Sequence, residues 1–408
     1  MWTPRPSTGM PARTASPLRL ALFWLGIQAV WGALLGISLQ SRTIELAAGD
    51  ALLAYGRLAT AGAIVAAFAQ VAIGIWSDAR SRSGSRRLEF YAAGAFGGAI
   101  ALIFFYDART FAALAAAYVA LQASLNVAIG PYQAIIPDFV ERSRTGAASS
   151  WMAALQGAGN AVGALAASFI ANARILSAAL SALLLACWAV TSAHARTLAM
   201  QPGSQEHATP RITRAFVDLF ISRALVYVGF YTLLGYLLFY VTGVLGAATL
   251  GGARLETGIL IVTFTIVSAA GAALAARPSD RLDKRWVATI GAAAFIGALA
   301  LFIASHALPG AVAATVLAGL GWGIFLVADW AIACRVLPAG SMAAAMGVWN
   351  LAIVLPQIAA PALTTAVLAR LTLTASALGP RVAFGLALGE TLIGITWLWR
   401  LSRCAIGE

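Results

Sequence analysis

Charge is what this chain has least of. Only 10% of its 408 residues are Asp, Glu, Lys or Arg, while 61% are apolar, and the mean hydropathy is +0.85. So little polar surface cannot cover a water-soluble globule of this length, which excludes that class. Cysteine is nearly absent too. Cys187, Cys334 and Cys404 stand alone, without the paired spacing of a metal site or a disulfide framework, and read as small apolar fillers. The three histidines, His194, His207 and His306, lie at or beyond the ends of apolar stretches. An intramembrane enzyme would need nucleophile, base or metal clusters within the spans, and neither a histidine pair nor a Ser-His-Asp set is available at a plausible depth, so no metal, cofactor or enzyme activity is expected. The opening 18 residues lack the apolar core of a secretion signal and carry Pro6, Pro11 and Pro17 among Ser and Thr. They read as a cytoplasmic tail ahead of a first span at Leu20 to Gln40.

What is present is long and apolar. Twelve stretches approach the roughly 20 residues that cross about 30 Å of hydrocarbon. They fall at about 20–41, 51–76, 88–106, 111–139, 147–171, 175–193, 216–245, 258–277, 286–306, 311–337, 340–370 and 382–401. A backbone exposed to lipid must satisfy its own hydrogen bonds, so these runs are helices; the ten-residue alternation of a barrel is missing. The expected fold class is an all-α membrane protein of twelve transmembrane helices, embedded in the lipid bilayer.

The chain is also written twice, at an offset of 201 to 202 residues. Ser77-Asp78 followed by Arg80, Arg82, Arg86 and Arg87 recurs as Ser279-Asp280 followed by Arg281, Lys284 and Arg285. Pro137 recurs as Pro338, and Gln156 as Gln357. Two pseudo-symmetric six-helix bundles are the form this takes, and such internal repeats are typical of transporters that rock around a shared site. The expected division is a tail over 1–18, an N-terminal bundle over 19–193, a polar cytoplasmic linker over 194–215, a C-terminal bundle over 216–401 and a tail over 402–408. The linker holds Pro202, Gly203, Ser204, Gln205 and Glu206 and cannot build a packed core.

Basic residues set the orientation. With the N-terminus inside, nineteen fall in inner segments, among them Arg80, Arg144, Arg196 and Arg335, and seven outside: Arg42, Arg57, Arg109, Arg174, Arg254, Arg370 and Arg381. Both termini should then be cytoplasmic, in the plasma (inner) membrane. This bias explains the net charge of +12 and gives no reason to expect nucleic acid, since the basic residues sit in short loops and not on one face.

At this point the residues carry a resemblance. Gly74-Ile-Trp-Ser-Asp78 with Gly84, Arg86 and Arg87 resembles the loop signature between helices 2 and 3 of the major facilitator superfamily. Ala79 replaces the usual Arg and three residues are added before the Gly-Arg pair, a spacing similar to the sucrose transporter and glycoside-cation symporter branches. Gln28 to Gln40, Asn126 to Asp138, Asp329-Trp330 with Leu337-Pro338, and Asn350 to Gln357 are similar to the bacterial relatives of sucrose transporters and to bacteriochlorophyll-delivery proteins. The resemblance implies alternating access, with helices 1, 4, 7 and 10 lining a central cavity. It also implies that Asp78, Arg82, Arg86, Arg87, Asp138 and Arg142 form a cytoplasmic gate network, with Asp280, Arg281 and Arg285 as its counterpart.

Cavity-lining helices should carry polar groups that would be expensive facing lipid. Gln122, Asn126 and Gln133 lie four and seven residues apart, which keeps them within roughly 40° of one another on one helical face. The fifth span offers Gln156 and Asn160, the first Gln28 near Trp31, the seventh Tyr227 and Tyr231, the tenth Trp330, and the eleventh Asn350 and Gln357. Amides and aromatic faces suit a neutral polyhydroxylated ligand; the competing explanation is hydrogen bonding between helices. Glycines such as Gly157, Gly159, Gly163, Gly319, Gly321 and Gly323 are expected to permit close helix packing. Arg223 and Asp329 lie inside spans and could pair, with protonation of Asp329 breaking the pair; Glu390 is a second intramembrane acid. The expected function is a monomeric secondary transporter, a proton-coupled symporter for a sugar or glycoside. The alternatives are an exporter of a drug or metabolite, or a pigment-delivery protein for which Trp31, Trp322 and Trp330 would bind a large planar ligand.

Overall fold

The computed structural model describes residues 15–47, 49–82, 87–140, 145–198, 213–336, 342–373 and 377–402. Span 1 comprises α1 (Pro17–Ala33), a π-helical turn (Leu34–Ser38) and α2 (Leu39–Leu46). Spans 2 to 6 are α3 (Ala51–Arg82), α4 (Leu88–Asp107), α5 (Phe111–Tyr132) with the short α6 (Ile135–Phe139), α7 (Thr145–Phe169) and α8 (Ala173–Arg196). Spans 7 to 12 are α9 (Arg214–Gly243), α10 (Leu250–Arg281), α11 (Lys284–Ala304), α12 (Leu308–Val336), α13 (Met342–Arg370) and α14 (Gly379–Leu398). Eleven of the spans, with Pro17–Leu46 taken as one, are long and apolar enough to cross a membrane. This is an integral membrane protein.

Polar residues at the ends set the helix starts. The Thr110, Thr213 and Thr249 hydroxyls and the Asn172 and Asp283 side chains each accept from backbone N–H groups of the first turn of α5, α9, α10, α8 and α11, satisfying donors that the helix cannot. The cap at Thr249 corrects the expected span at 258–277. The α10 helix begins eight residues earlier and takes in Arg254 and Glu256, because Arg254 finds acceptors there. The stretch at 111–139 is likewise two helices, broken after Pro131 and Tyr132.

The main contacts between spans in one half have counterparts in the other. The pairs α1–α7, α1–α8, α3–α5, α4–α5 and α4–α8 correspond to α9–α13, α9–α14, α10–α12, α11–α12 and α11–α14. The two seams between halves match as well, α3 against α13 and α7 against α10. Two six-helix bundles are thus related by pseudo-symmetry, with spans 1 and 7 each packing on two helices of their own bundle.

Small residues set these distances. A Cβ on Gly163 of α7 would overlap the Ala29 carbonyl oxygen of α1, and one on Gly159 would come 2.5 Å from the Leu25 carbonyl oxygen. In the second half Gly319 and Gly323 of α12 meet the α10 backbone at Phe264 and Ser268, while Gly321 meets Gly291 of α11. In lipid, where no hydrophobic force drives helix association, this close approach supplies the van der Waals contact that holds each bundle together.

Candidate functional site

Odd-numbered spans run from the face where α1 and α9 begin and α8 and α14 end, the terminal face, toward the opposite, distal face. At the distal face the two halves meet. Gln40 Nε2 donates to the Gly235 carbonyl oxygen at 3.3 Å, and the Tyr55 ring meets Tyr236 at 5.7 Å between centroids. Gly56 has no room for a Cβ beside Thr365, nor Gly258 beside Ser168. Arg254 Nη2 reaches across to the last turn of α7 and donates to the carbonyl oxygens of Ala167 (2.8 Å) and Ile170 (3.4 Å). A helix C-terminus leaves carbonyls without intrahelical donors and carries partial negative charge, so a cation there is doubly favoured. The π-helical turn of span 1 belongs to the same closure, packing on α7, α9 and α10. These hydrogen bonds and ring contacts join the two halves at the distal end.

Toward the terminal face, Arg223 of α9 and Asp329 of α12 form a salt bridge in which both side chains are almost wholly buried. Arg223 lies over the rings of Trp349 (4.4 Å), Tyr227 (4.9 Å) and Trp330 (5.5 Å). Its Nη2 also reaches the Tyr227 hydroxyl at 3.3 Å. A guanidinium removed from water keeps its charge and needs acceptors and π faces, and this cage supplies both. Arg223 Nε has no hydrogen-bond partner. One turn further along α9, the Tyr231 hydroxyl accepts from Gln357 Nε2 of α13 at 2.9 Å. Sequence reasoning paired Arg223 with Asp329 but missed Trp349, because a tryptophan in an apolar run carries no sign of the cation it covers.

The amides are placed less uniformly. Gln122 and Asn126 are both 6% exposed. Gln122 Nε2 donates to the Tyr118 hydroxyl at 2.7 Å, and Asn126 Nδ2 to the Gln122 backbone oxygen at 2.8 Å. Gln122 also lies against Gly62 of α3. Their hydrogen bonds therefore stay on α5. Gln133, at the end of that helix, and Asn160 are exposed, whereas Gln28 and Gln156 are half-buried. Trp31 is buried, and Trp322 is packed in the core, stacked on Phe230 at 4.2 Å. Trp330 is 41% exposed. The side chain of Asn350 lies outside the described residues.

Of the gate residues, Arg87 Nε and Asp138 Oδ2 lie 3.2 Å apart, both largely buried, tying the start of α4 to α6 within the N-terminal half. Arg285 pairs with Asp283 at 2.6 Å, donates to the Leu401 carbonyl oxygen and lies over Trp399. Arg281 is exposed. Arg86 and Arg142 and the side chains of Asp78, Arg82 and Asp280 lie outside the described residues. Asp218, which sequence reasoning passed over, is buried and accepts from Trp397 Nε1 at 3.0 Å. A cavity of about 490 Å³ lies apart from all of these, between the distal ends of α3 and α5, lined by Asp50, Arg57, Phe111 and mostly small apolar residues.

The architecture is shared with solved transporters. A bacterial homologue of the human lysosomal transporter Spinster, in an inward-facing and occupied conformation, superposes with a TM-score of 0.71 at 16% identity, covering 94% of this chain and 95% of that one. The nucleoside transporter NupG gives 0.70 at 14% identity, covering 94% and 98%. A D-xylose-proton symporter gives 0.68 at 13%, covering 96% and 99%. A sequence search finds no match among curated proteins. The sequence matches the Major Facilitator Superfamily over residues 20–361, through both halves and most of the chain, and the chain belongs to that superfamily.

Proposed function

We propose that this protein is a secondary active transporter working by alternating access, a proton-coupled symporter of a neutral polar solute of the sugar or glycoside class. It acts as a monomer in the plasma (inner) membrane with both termini in the cytoplasm. The observation that carries the proposal is the Arg223–Asp329 pair in its aromatic cage. A buried pair of this kind has two stable conditions, closed while Asp329 is ionised and released once it binds a proton, and such a bistable element can couple proton entry to movement of the C-terminal half.

The solute site lies on the same side of the distal seal. Tyr231 with Gln357, one turn along α9 from the pair, and Trp330, whose ring lies under Arg223, would supply one wall, and Gln28, Gln156 and Asn160 of the other half the opposite one, with Gln122, Asn126, Gln133 and Asn350 joining as the halves rock. Hydroxyls would meet amides and Tyr hydroxyls, and a ring's C–H face would meet Trp330. Trp322 is taken up by packing on Phe230, Tyr227 and Phe295, which favours a polar solute, bound beside Trp31 and Gln28, over a large planar pigment. The structural relatives, at 13 to 16% identity, support the fold and leave the solute to this chain's own residues. On this reading the charged residues Asp78, Arg82, Arg86, Arg87, Asp138, Arg142, Asp280, Arg281 and Arg285 gate the cytoplasmic side.

The test is uptake into proteoliposomes under an imposed inward proton gradient, screened across mono- and disaccharides and aryl glycosides. One solute should evoke proton influx, and Asp329→Asn should abolish gradient-driven accumulation while retaining exchange. Accumulation by Asp329→Asn equal to that of the native protein would overturn the coupling role of the pair.

A further inference from the structure

A second acid lies in the membrane, in a different part of the C-terminal half. Glu390 sits midway along α14, which packs on α9, α11 and α13. Its Oε2 is sealed from solvent and has no hydrogen-bond partner. The hydroxyl of Thr232, on α9, faces its carboxyl group. Thr232 Oγ1 lies 3.3 Å from Thr364 Oγ1 of α13, and both threonines are fully buried. Three helices therefore bring one carboxyl and two hydroxyls together.

No cation neutralises this acid among the described residues. On α9 the nearest basic residue is Arg223, nine positions from Thr232 and so about 13 Å along the axis, and it is committed to Asp329. Lys284 and Arg285 lie at the first turn of α11, and Arg370 at the last residue of α13. On α14 itself Arg381 is nine positions away and bonds Ser305 and His306. The tyrosines of α9 are engaged elsewhere, Tyr231 with Gln357 and Tyr236 with Thr365. An ionised carboxylate at such depth costs about 2.5–3.5 kcal/mol on insertion scales, and this one would leave a charged oxygen without a donor. A neutral carboxyl fits better, because its O–H can donate to Thr232 while its other oxygen, an ordinary carbonyl acceptor, is left unpaired at smaller cost.

We infer that Glu390, with Thr232 and Thr364, is a proton-binding site distinct from the Arg223–Asp329 pair, occupied in this distal-closed conformation and linked to the distal seal. The link is short. Thr364 precedes Thr365, whose Oγ1 lies 2.8 Å from the Tyr236 hydroxyl and which fills the space beside Gly56 of the other half. Tyr236 in turn packs on Tyr55 across the seam. Removing the proton would place a charge two hydroxyls, those of Thr232 and Thr364, from the residues that hold the halves together. The transport consequence rests on the alternating-access reading, whereas proton occupancy does not.

Infrared spectroscopy of the full chain in lipid nanodiscs at neutral pH tests occupancy directly. The expected result is a protonated-carboxyl C=O band that shifts in D2O, is lost in Glu390→Gln and is retained in Asp329→Asn. Thr232→Val should move that band to higher frequency, and this variant serves if Glu390→Gln fails to fold. Absence of the band, or its persistence unchanged in Glu390→Gln, overturns the inference. Loss of the band on adding sodium ions at constant pH also overturns it, assigning the site to a metal cation. Failure of every solute in the uptake assay would remove the symport reading and leave this band untouched.

Discussion

The energetic weight of the Arg223–Asp329 pair can be worked out and measured. Asp329→Asn removes the counter-charge of a guanidinium whose side chain is 0% exposed. Breaking a buried pair by removing one partner costs about 3–5 kcal/mol, since it leaves an uncompensated charge. Part of that is offset here, because three aromatic rings remain over Arg223 and a desolvated cation–π contact contributes about 2 kcal/mol. The loss for Asp329→Asn should therefore lie near the lower end, about 3 kcal/mol. Arg223→Met strands the carboxylate with no comparable substitute and should cost more, unless Asp329 takes up a proton, in which case its penalty shrinks as pH falls. The double variant Arg223→Met/Asp329→Asn carries no buried charge and should return to within about 1 kcal/mol of the native protein, giving a coupling energy of about 5 kcal/mol or more once both single losses are subtracted. Denaturant unfolding of the four purified proteins in one mild detergent closes the cycle. A double variant as unstable as the sum of the singles would refute the reasoning, because the pair would then contribute through packing and not through mutual neutralisation.

Two other contacts give separable outcomes. Arg254→Gln removes a cation from the last carbonyls of α7, and hydrogen bonds to a charged group contribute about 1.5–3 kcal/mol. The distal face should open more often, read as slower joining of Tyr55→Cys to Tyr236→Cys by a short bifunctional thiol reagent; an unchanged rate would remove Arg254 from the seal. Gly163→Val places side-chain atoms where the Ala29 carbonyl oxygen lies, so α1 and α7 must separate. Overpacking of about 1–3 kcal/mol or more is expected, seen as a lowered unfolding midpoint, whereas the same change at Gly157, which has open space, should be nearly neutral.

The fold was legible because each of its determinants is local or repeated. Hydropathy alone marks stretches that must be helical in lipid, and the recurrence of Ser77-Asp78 at Ser279-Asp280 matches the pairing by which α1–α7 answers α9–α13. Helix ends were less legible where a charge lies inside the helix. Arg254 and Glu256 pushed the expected start of α10 past the Thr249 cap, and only the acceptors on α7 explain why an arginine is tolerated there. The pairing of Arg223 and Asp329 could be guessed, since each is costly alone and each asks for a partner. Trp349 and Thr364 gave no such signal: their roles come from which helix lies opposite, and periodicity along one helix does not encode that. The helix 4 stripe illustrates the same limit. Spacing placed Gln122 and Asn126 on one face, but not whether that face meets a ligand, α3 or the hydroxyl of Tyr118.

The Arg87–Asp138 pair poses the related question of whether a charge pair holds one half together or holds the two halves to each other. Both partners belong to the N-terminal half, and side-chain exposures of 11% and 4% place the contact mostly out of water. Asp138→Asn should therefore cost stability in the manner of a buried pair, about 3 kcal/mol or somewhat less given the residual exposure of Arg87. If the pair only braces α4 against α6, the equilibrium between distal-closed and distal-open forms should not move, and the Tyr55→Cys/Tyr236→Cys joining rate should stay at its native value. If it also anchors the cytoplasmic gate, as the resemblance of the Gly74 to Arg87 segment implies, weakening that gate makes the distal-closed form more populated and the joining faster. The two outcomes differ in the sign of an effect on a site at the far end of the molecule, so one rate measurement beside one unfolding curve separates bracing from gating.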